Sequence, residues 1–257
     1  MASEEEIKLT TQQQRVLKLL FKFRFVSAPL LSQVMEIRRI SVYEVLEYLV
    51  SKGIVVKVYD PSWRIDRKPA YYYLNKTGVT TVRKLLGVKD TVVNPLYKND
   101  RANNDFIEHC LQLMKVYIAV VATVPKDTQI FTKTEINRFK QFPKNRPDLY
   151  IRKPDGCEAI IVITLKSPTY IIRKRMDEII KHSEDEGWGG VYPAIGFIVK
   201  DEHTKNSLLY TTKQKLESMG MEEDELKVMV ATMQAIQTNK ALSWNNVFNP
   251  KTYTRLI

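Results

Sequence analysis

The first 86 residues show apolar positions at helical spacing, followed by two strand-like runs. From Thr10 to Phe25 the apolar residues recur at helical spacing, and threonine hydroxyls stand at the start to cap the helix. Ser27 predicts the start of a second, short helix. Ser41 is expected to cap a third helix, and Gly53 stands just past its end. The pattern predicts three helices, each with one apolar face.

A β-hairpin is predicted next. Ile54 to Val58 is rich in β-branched residues and Ala70 to Leu74 is rich in aromatic residues, which is typical of strands. A long polar loop joins them, and a closing helix ends near Leu86. Three helices and a hairpin predict a winged helix-turn-helix, whose hairpin is the wing. Trp63 in that loop is expected either to cover the domain's own core or to stack against DNA.

The start of the third helix and the loop of the hairpin hold hydroxyl, aromatic and basic side chains. These groups bind base edges and phosphates in duplex DNA. We expect major-groove or flanking phosphate contacts from the helix, and backbone or minor-groove contacts from the wing. The candidates are Arg38, Arg39, Ser41 and Tyr43 on the helix and Arg64, Arg67 and Lys68 on the wing. A protein-interaction module built from the same elements is the alternative.

The net charge agrees with a nucleic-acid partner. The chain has 40 Lys and Arg against 29 Asp and Glu, giving a formal charge of +11 and a pI of about 9.4. Residues 1–100 hold 17 basic and 10 acidic residues, so the first part of the chain is the more cationic. Double-stranded DNA is the expected partner. Ribosomal, membrane-surface and heparin-type partners also suit a basic protein.

The sequence also predicts the compartment. Residues 1–6 are acidic instead of basic and apolar, and no run approaches the 18 apolar residues of a membrane span. Cys110 and Cys157 are too few for a disulfide scaffold and lack metal-ligand spacing. We expect a cytoplasmic protein with no membrane partner.

Residues 104–257 are predicted to form a second domain, after a linker of polar turns over residues 87–103. The predicted order is helix, three strands, helix, strand, helix, strand. The run from Ala159 to Leu165 is apolar on both faces, so it should lie at the centre of a sheet. The fold class is therefore α+β or α/β, with a winged helix-turn-helix at residues 1–86 and an α/β domain with a mixed central sheet.

One set of residues in the second domain suggests metal chemistry. Asp148 opens one predicted strand, and Lys166 ends the next. Metal-dependent phosphodiester cleavage uses carboxylates to hold Mg²⁺ and a lysine to orient water, so Asp148 is the candidate metal ligand, with Glu108 or Glu158 as further ligands. Thr164 stands where a second acid belongs, which weakens any Mg²⁺ site.

These residues resemble the PD-(D/E)xK nuclease superfamily. Most of the chain also resembles the replication-relaxation family of plasmid and prophage proteins, through the predicted winged helix, the linker, and a helix followed by a buried strand. The residues that support this resemblance are His109, Leu113, Tyr117, Arg146-Pro147-Asp148 and the run from Ile163 to Thr169. The resemblance implies a winged helix joined to a nuclease-like domain and a role in plasmid replication and topology or transfer. Acidic residues and an Arg-Gly-Thr turn, typical of the family, are replaced here by Lys166 and Ser167-Pro168-Thr169.

A basic cluster follows that buried strand. Arg173, Lys174 and Arg175 lie on the next predicted helix and are expected to track a DNA backbone. A solvated helix face, offset by Asp177 and Glu178, explains the cluster equally well.

Together these observations predict a DNA-binding protein of a prokaryotic mobile element, acting in replication, maintenance or its control. The second domain is expected to be an inactive nuclease fold without a cofactor, and a homodimer is expected because winged-helix proteins often bind two half-sites. One alternative is a Mg²⁺-dependent endonuclease or nickase centred on Asp148. Another is a transcription regulator whose second domain senses a ligand or partner.

Overall fold

A computed structural model of the protein describes residues 8–184, 188, 190–239 and 243–257. The chain divides into two units, Met1–Met114 and Lys115–Ile257. In the part of the chain that is described, the first unit has a three-stranded sheet and the second a seven-stranded sheet. Residues 1–6, whose acidic character supports the expected cytoplasmic location, lie outside the described residues. No helix within the described ranges is long and apolar enough to cross a membrane.

The first unit contains the predicted helices and hairpin in the predicted order. Its elements are α1 (Thr11–Phe23), β1 (Val26–Ser27), α2 (Ala28–Met35), α3 (Arg39–Ser51), β2 (Val55–Val58), a 3-10 turn (Pro61–Arg64), β3 (Tyr71–Leu74), α4 (Lys76–Leu86), α5 (Asp90–Val93), a 3-10 helix (Asn94–Arg101) and the first part of α6 (Asn104–Val121). The antiparallel sheet has the order β1-β3-β2. A short strand before α2, and a hairpin after α3, give the topology of a winged helix.

The start of α3 differs from the prediction. The prediction that Ser41 caps the helix is wrong, because α3 begins at Arg39 with Arg38 in the N-cap position. Glu36 takes a left-handed backbone (φ 57°) that ends α2. The turn between the helices is therefore short, and Val42 N–H already donates to the Arg38 carbonyl (3.3 Å). Ser41 lies in the first turn of α3, where its side chain is half-buried.

Residues 87–103, where the sequence predicts a linker of polar turns, form α5 and the 3-10 helix within the first unit. Val93 and Leu96 are buried there. The Arg24 guanidinium donates to Asn99 Oδ1 from Nε (2.9 Å) and Nη2 (2.6 Å), and burial lowers the pKa of Arg24. Asn99 of this segment, which is buried, thus binds the end of α1. The division between the units falls within α6.

The second unit contains the predicted mixed sheet. Its elements are the rest of α6, β4 (Gln129–Thr132), α7 (Lys133–Ile136), β5 (Leu149–Arg152), β6 (Glu158–Ile163), α8 (Thr169–Ser183), β7 (Ala194–Val199), α9 (Glu202–Ser218), β8 (Val228–Thr232), α10 (Met233–Asn239), β9 (Trp244–Asn246) and β10 (Tyr253–Thr254). The sheet order is β10-β9-β8-β7-β6-β5-β4. Strands β6, β7 and β8 are parallel, and the outer pairs are antiparallel. The sequence did not predict α7, α10, β9 or β10.

The central strands are buried on both faces. On one face α8 and α9 pack on the sheet, with Ile172 and Leu208 among the buried residues of a single cluster with Ile160 and Phe197. On the other face Trp244 lies against Gly196 of β7. The hydrophobic run of β6 fits this position, because a strand covered on both faces excludes polar side chains.

Candidate nucleic-acid interface

The start of α3 presents several side chains to solvent. Arg38 and Arg39 are exposed, and Tyr43 is 37% exposed one turn further on. Among the described residues, no carboxylate forms an ion pair with either arginine. Ile40, between Arg39 and Ser41, is 66% exposed. This helix start therefore presents two cations, a hydroxyl and two apolar groups, which suit phosphates, base edges and thymine methyl groups.

The wing begins with a tightly bonded turn. The Ser62 hydroxyl and backbone N–H both donate to Asp60 Oδ1, at 2.7 and 2.9 Å. These hydrogen bonds hold the pKa of the Asp60 carboxyl below its ordinary value. Trp63 N–H donates to the Asp60 carbonyl (2.9 Å), which continues the turn toward the tip. The wing is therefore an ordered structure and not an open loop.

Trp63 packs within the hairpin. Its ring stacks on Tyr71 with centroids 5.4 Å apart, and it meets the Tyr59 ring edge-on at 6.2 Å. Burial raises the pKa of Tyr71. Trp63 is half-buried on two tyrosines of the hairpin, where its ring contacts fix the base of the wing. Aromatic pairs of this kind stabilise a hairpin by about 0.5–1.5 kcal/mol.

The wing tip holds the three predicted cations. Arg64 and Arg67 are exposed, and Arg67 has a left-handed backbone (φ 51°) that costs a non-glycine residue about 1 kcal/mol. Lys68 N–H donates to the Trp63 carbonyl (2.9 Å), and its ammonium pairs with Asp66 at 3.1 Å. Asp66 thus partly neutralises Lys68. Within the described part of the chain, no acid forms an ion pair with Arg64 or Arg67.

Helix α3 is tied to the hairpin that forms the wing. Lys57 of β2 donates to Glu47 of α3 at 2.6 Å. This ion pair neutralises an acid that would otherwise repel DNA from the exposed side of α3. It also fixes β2 against the helix whose first turn holds the candidate base-contacting residues.

Two exposed apolar residues were missed by the sequence analysis. Ile40 lies outside the buried stripe of α3, and Ile65 at the wing tip is 87% exposed. The signal was present in the sequence, because each isoleucine interrupts a run of charged and polar residues without matching the apolar period of its element. An exposed isoleucine beside arginines suits apolar contact in a DNA groove.

The predicted acid and lysine of the second unit lie at the ends of neighbouring strands. Asp148 directly precedes β5, is 4% exposed, and accepts a hydrogen bond from Ile163 N–H at 2.7 Å. Thr164 donates from Oγ1 to the Ile198 carbonyl (3.1 Å), and Lys166 is exposed two residues later. Glu108 is exposed and belongs to the first unit.

The remaining candidate ligand, Glu158, is committed to other groups. Arg152 Nε donates to Glu158 Oε1 at 2.7 Å, Trp188 Nε1 donates to Oε2 at 3.1 Å, and the Tyr150 hydroxyl also donates to this carboxylate. Burial, and then the Glu158 hydrogen bond, raise the pKa of Tyr150. No group of three His, Cys, Asp or Glu side chains in the described ranges is placed to hold a metal ion. These donors therefore do not fit a Mg²⁺ site.

The predicted basic cluster on α8 divides between two directions. Arg173 donates from Nη2 to Ser207 Oγ of α9 at 2.8 Å. Arg175 instead donates to the Arg146 carbonyl at 2.6 Å, and Lys174 is exposed. Arg175 is therefore turned away from Arg173 and Lys174, and the three cations do not form one contact surface. Arg175 fixes the segment that leads to Asp148.

Three solved structures illustrate the similarities found for this chain. A mutant MarR from E. coli complexed with operator DNA shows 17% identity and a TM-score of 0.28 and covers 40% of this chain and 71% of its own. AdcR from Streptococcus pyogenes shows 17% identity and a TM-score of 0.28, and the match covers 42% of this chain and 76% of AdcR. A mutant ZitR from Lactococcus lactis in complex with DNA shows 15% identity and a TM-score of 0.28, and the match covers 42% of this chain and 73% of ZitR.

No protein-family model and no curated protein matches the sequence. TM-scores of 0.28 support no inference about how this chain folds or acts. The winged helix is assigned from the order of its own helices and strands.

Proposed function

We propose that the protein binds duplex DNA through the winged helix of its first unit. The observation that supports this most is the set of exposed cations at the two places where a winged helix meets DNA, the start of α3 and the wing tip. Arg38, Arg39, Ser41 and Tyr43 would contact base edges or flanking phosphates. Arg64, Arg67 and Lys68 would contact the adjacent backbone or the minor groove.

Within this proposal the protein acts in the replication, maintenance or control of a prokaryotic mobile element. Support comes from the resemblance to the replication-relaxation family and from the second unit, in which three antiparallel strands lead through a helix to a parallel strand. Asp148 precedes the second of these strands, as a PD-(D/E)xK motif requires. We propose that this nuclease-like unit binds DNA or a second copy of the chain and does not cleave DNA. We also propose that the protein acts in the cytoplasm as a homodimer. Transcriptional control is a second form of the same DNA-binding function, because it needs only the winged helix and a second binding unit.

Removing one wing cation is expected to weaken binding to all duplex sequences alike. Arg64→Ala or Arg67→Ala should each reduce the salt slope, log Kd against log salt, by about one counterion. Lys68→Ala should have a smaller effect, because Asp66 already pairs with this lysine at 3.1 Å. Fluorescence anisotropy with a labelled duplex across a salt series measures both the Kd and its salt slope. Lys18→Ala, an exposed lysine on α1, is the matched control. Unchanged slopes for both arginine variants would remove the wing from the interface.

Replacing Asp148 separates a structural role from the endonuclease alternative. Asp148→Ala leaves the Ile163 N–H without its acceptor and is expected to cost about 1–3 kcal/mol of unfolding free energy. Asp148→Asn keeps a carbonyl acceptor and should lose much less. Urea unfolding measures both losses.

The same variants test for metal chemistry. We expect Mg²⁺ or Mn²⁺ to leave the Tm of the wild type unchanged and supercoiled plasmid to stay unnicked, because the donors around Asp148 are committed to other groups. A metal-dependent rise in Tm, or nicking that Asp148→Asn abolishes, would establish the endonuclease instead.

A further inference from the structure

Two tyrosines on the helices of the second unit are unusually exposed. Tyr170 of α8 is 69% exposed, and Tyr210 of α9 is 64% exposed. Neither lies on the buried stripe of its helix. Neither residue has a role in the proposed winged-helix interface, since both belong to the second unit.

The two helices bring both rings near the cation Arg173. Arg173 of α8 bonds Ser207 of α9 at 2.8 Å, and further along Lys215 of α9 pairs with Asp177 of α8 at 2.6 Å. The second contact involves later residues on both helices, so the two helices lie side by side and run parallel. Tyr170 lies three residues before Arg173, and Tyr210 three residues after Ser207. At 1.5 Å per residue, these two contacts place Tyr170 about 3–9 Å before Tyr210 along the helix axes, on helices that pack about 8–10 Å apart.

The charge of this region is positive at the exposed positions. Lys174 is exposed beside Arg173. Two nearby acids have cationic partners, because Asp177 pairs with Lys215 and Glu202 pairs with Lys205, each at 2.6 Å. Glu178 is also exposed and accepts a hydrogen bond from Asn145 Nδ2 at 3.3 Å. Gln214 donates to the Tyr210 hydroxyl at 2.7 Å, which orients that ring. The exposed tyrosines of this face thus lie beside two cations.

We propose that this α8–α9 face, defined by Tyr170, Arg173, Lys174 and Tyr210, binds single-stranded nucleic acid. The rings stack on unpaired bases and the cations contact the phosphates between them. Duplex DNA fits this face less well, because its base faces are stacked inside the helix and offer nothing to exposed rings. The inference does not depend on the winged helix, since all of its residues lie in the second unit.

The experiment uses the full chain and a fluorescein-labelled oligothymidylate of about 20 nucleotides, which exceeds ordinary single-strand site sizes. Tyr170→Ala/Tyr210→Ala is expected to raise its Kd about tenfold or more. Tyr170→Phe/Tyr210→Phe keeps both rings and should stay within about twofold of the wild type. Lys174→Gln should flatten the salt dependence by about one counterion. Circular dichroism of each variant checks that the fold is retained.

A matched duplex separates this proposal from the winged-helix proposal. The alanine pair should leave duplex affinity unchanged, whereas Arg64→Ala should weaken only duplex binding. Absence of oligothymidylate binding by the wild type, or equal losses on both probes, would overturn the single-strand proposal and leave the winged helix untouched. Equal losses for the phenylalanine and alanine pairs would overturn stacking. Self-association that the alanine pair abolishes, seen by sedimentation, would instead identify a contact between copies of the chain.

Discussion

Gly78→Ala is expected to destabilise the winged helix by about 3 kcal/mol or more. A Cβ at this position would lie 2.2 Å from the Ile54 carbonyl oxygen and 3.1 Å from Leu74 Cδ2. The nearer atom belongs to the backbone, so no side-chain rotation relieves the clash. Either α4 or the start of the hairpin must move, and overpacking of this kind ordinarily costs about 1–3 kcal/mol even when side chains can adjust.

The clash would also disrupt the hydrogen bonds that join α4 to the hairpin. Asn75 N–H donates to the same Ile54 carbonyl at 3.2 Å, and Asn75 Nδ2 donates to the Gly53 carbonyl at 2.7 Å. Asn75 Oδ1 in turn accepts from Gly78 N–H at 2.9 Å, which caps α4. A displaced Gly78 segment therefore loses the cap and both links to the chain that leads into β2. Because β2 begins the wing, we expect duplex affinity to fall with stability.

Hydrogen exchange followed by mass spectrometry locates the effect within the chain. Protection should fall in α4 and the hairpin and stay unchanged in β6, β7 and β8. Gly87→Ala is the matched control, because Gly87 has a left-handed backbone (φ 61°) but no atom within 4 Å of the added Cβ. Its cost should be about 1 kcal/mol, from backbone conformation alone. Equal losses in the two variants would show that the contact with Ile54 has no special weight.

The sequence predicted most elements because their apolar positions repeat locally. It failed where a partner lies far along the chain. Arg24 and Asn99 are 75 residues apart, so no local pattern in residues 87–103 shows that this polar segment binds the end of α1. The start of α3 was missed for a different reason. Arg38 is not a usual N-cap residue, and the position of the helix follows from the left-handed Glu36.

The candidate DNA-binding residues of the first unit could be named from the sequence, because groups that bind DNA are polar and stand out from an apolar period. The division of Arg173, Lys174 and Arg175 was also predictable in principle, since three consecutive helical residues point in three directions. Which direction each one takes was not predictable. The Arg175 partner is the Arg146 carbonyl, which the tertiary structure brings to it across 29 residues.

Gly196 in the central strand β7 is the position where a second large loss of stability is expected. An added Cβ would lie 2.8 and 2.9 Å from two carbons of the Trp244 ring and 3.2 Å from Leu256 Cδ2. Glycine ordinarily weakens a strand, but here the missing side chain leaves the space that the indole fills. Gly196→Val should therefore displace a tryptophan that is only 4% exposed, at a cost of about 3 kcal/mol.

A double-mutant cycle tests this steric account of Gly196. Trp244→Leu alone should destabilise the second unit by leaving a cavity against β7. Combined with Gly196→Val it should cost less than the two single losses added together, because the valine fills part of that cavity, with a coupling free energy of about 1–2 kcal/mol. Urea unfolding of the four proteins measures the coupling. Gly190→Ala, at a position with no left-handed φ and no atom within 4 Å of the added Cβ, reports the cost of a β-carbon without a neighbour. Strictly additive losses would mean that Gly196 is retained for the strand backbone and not for Trp244.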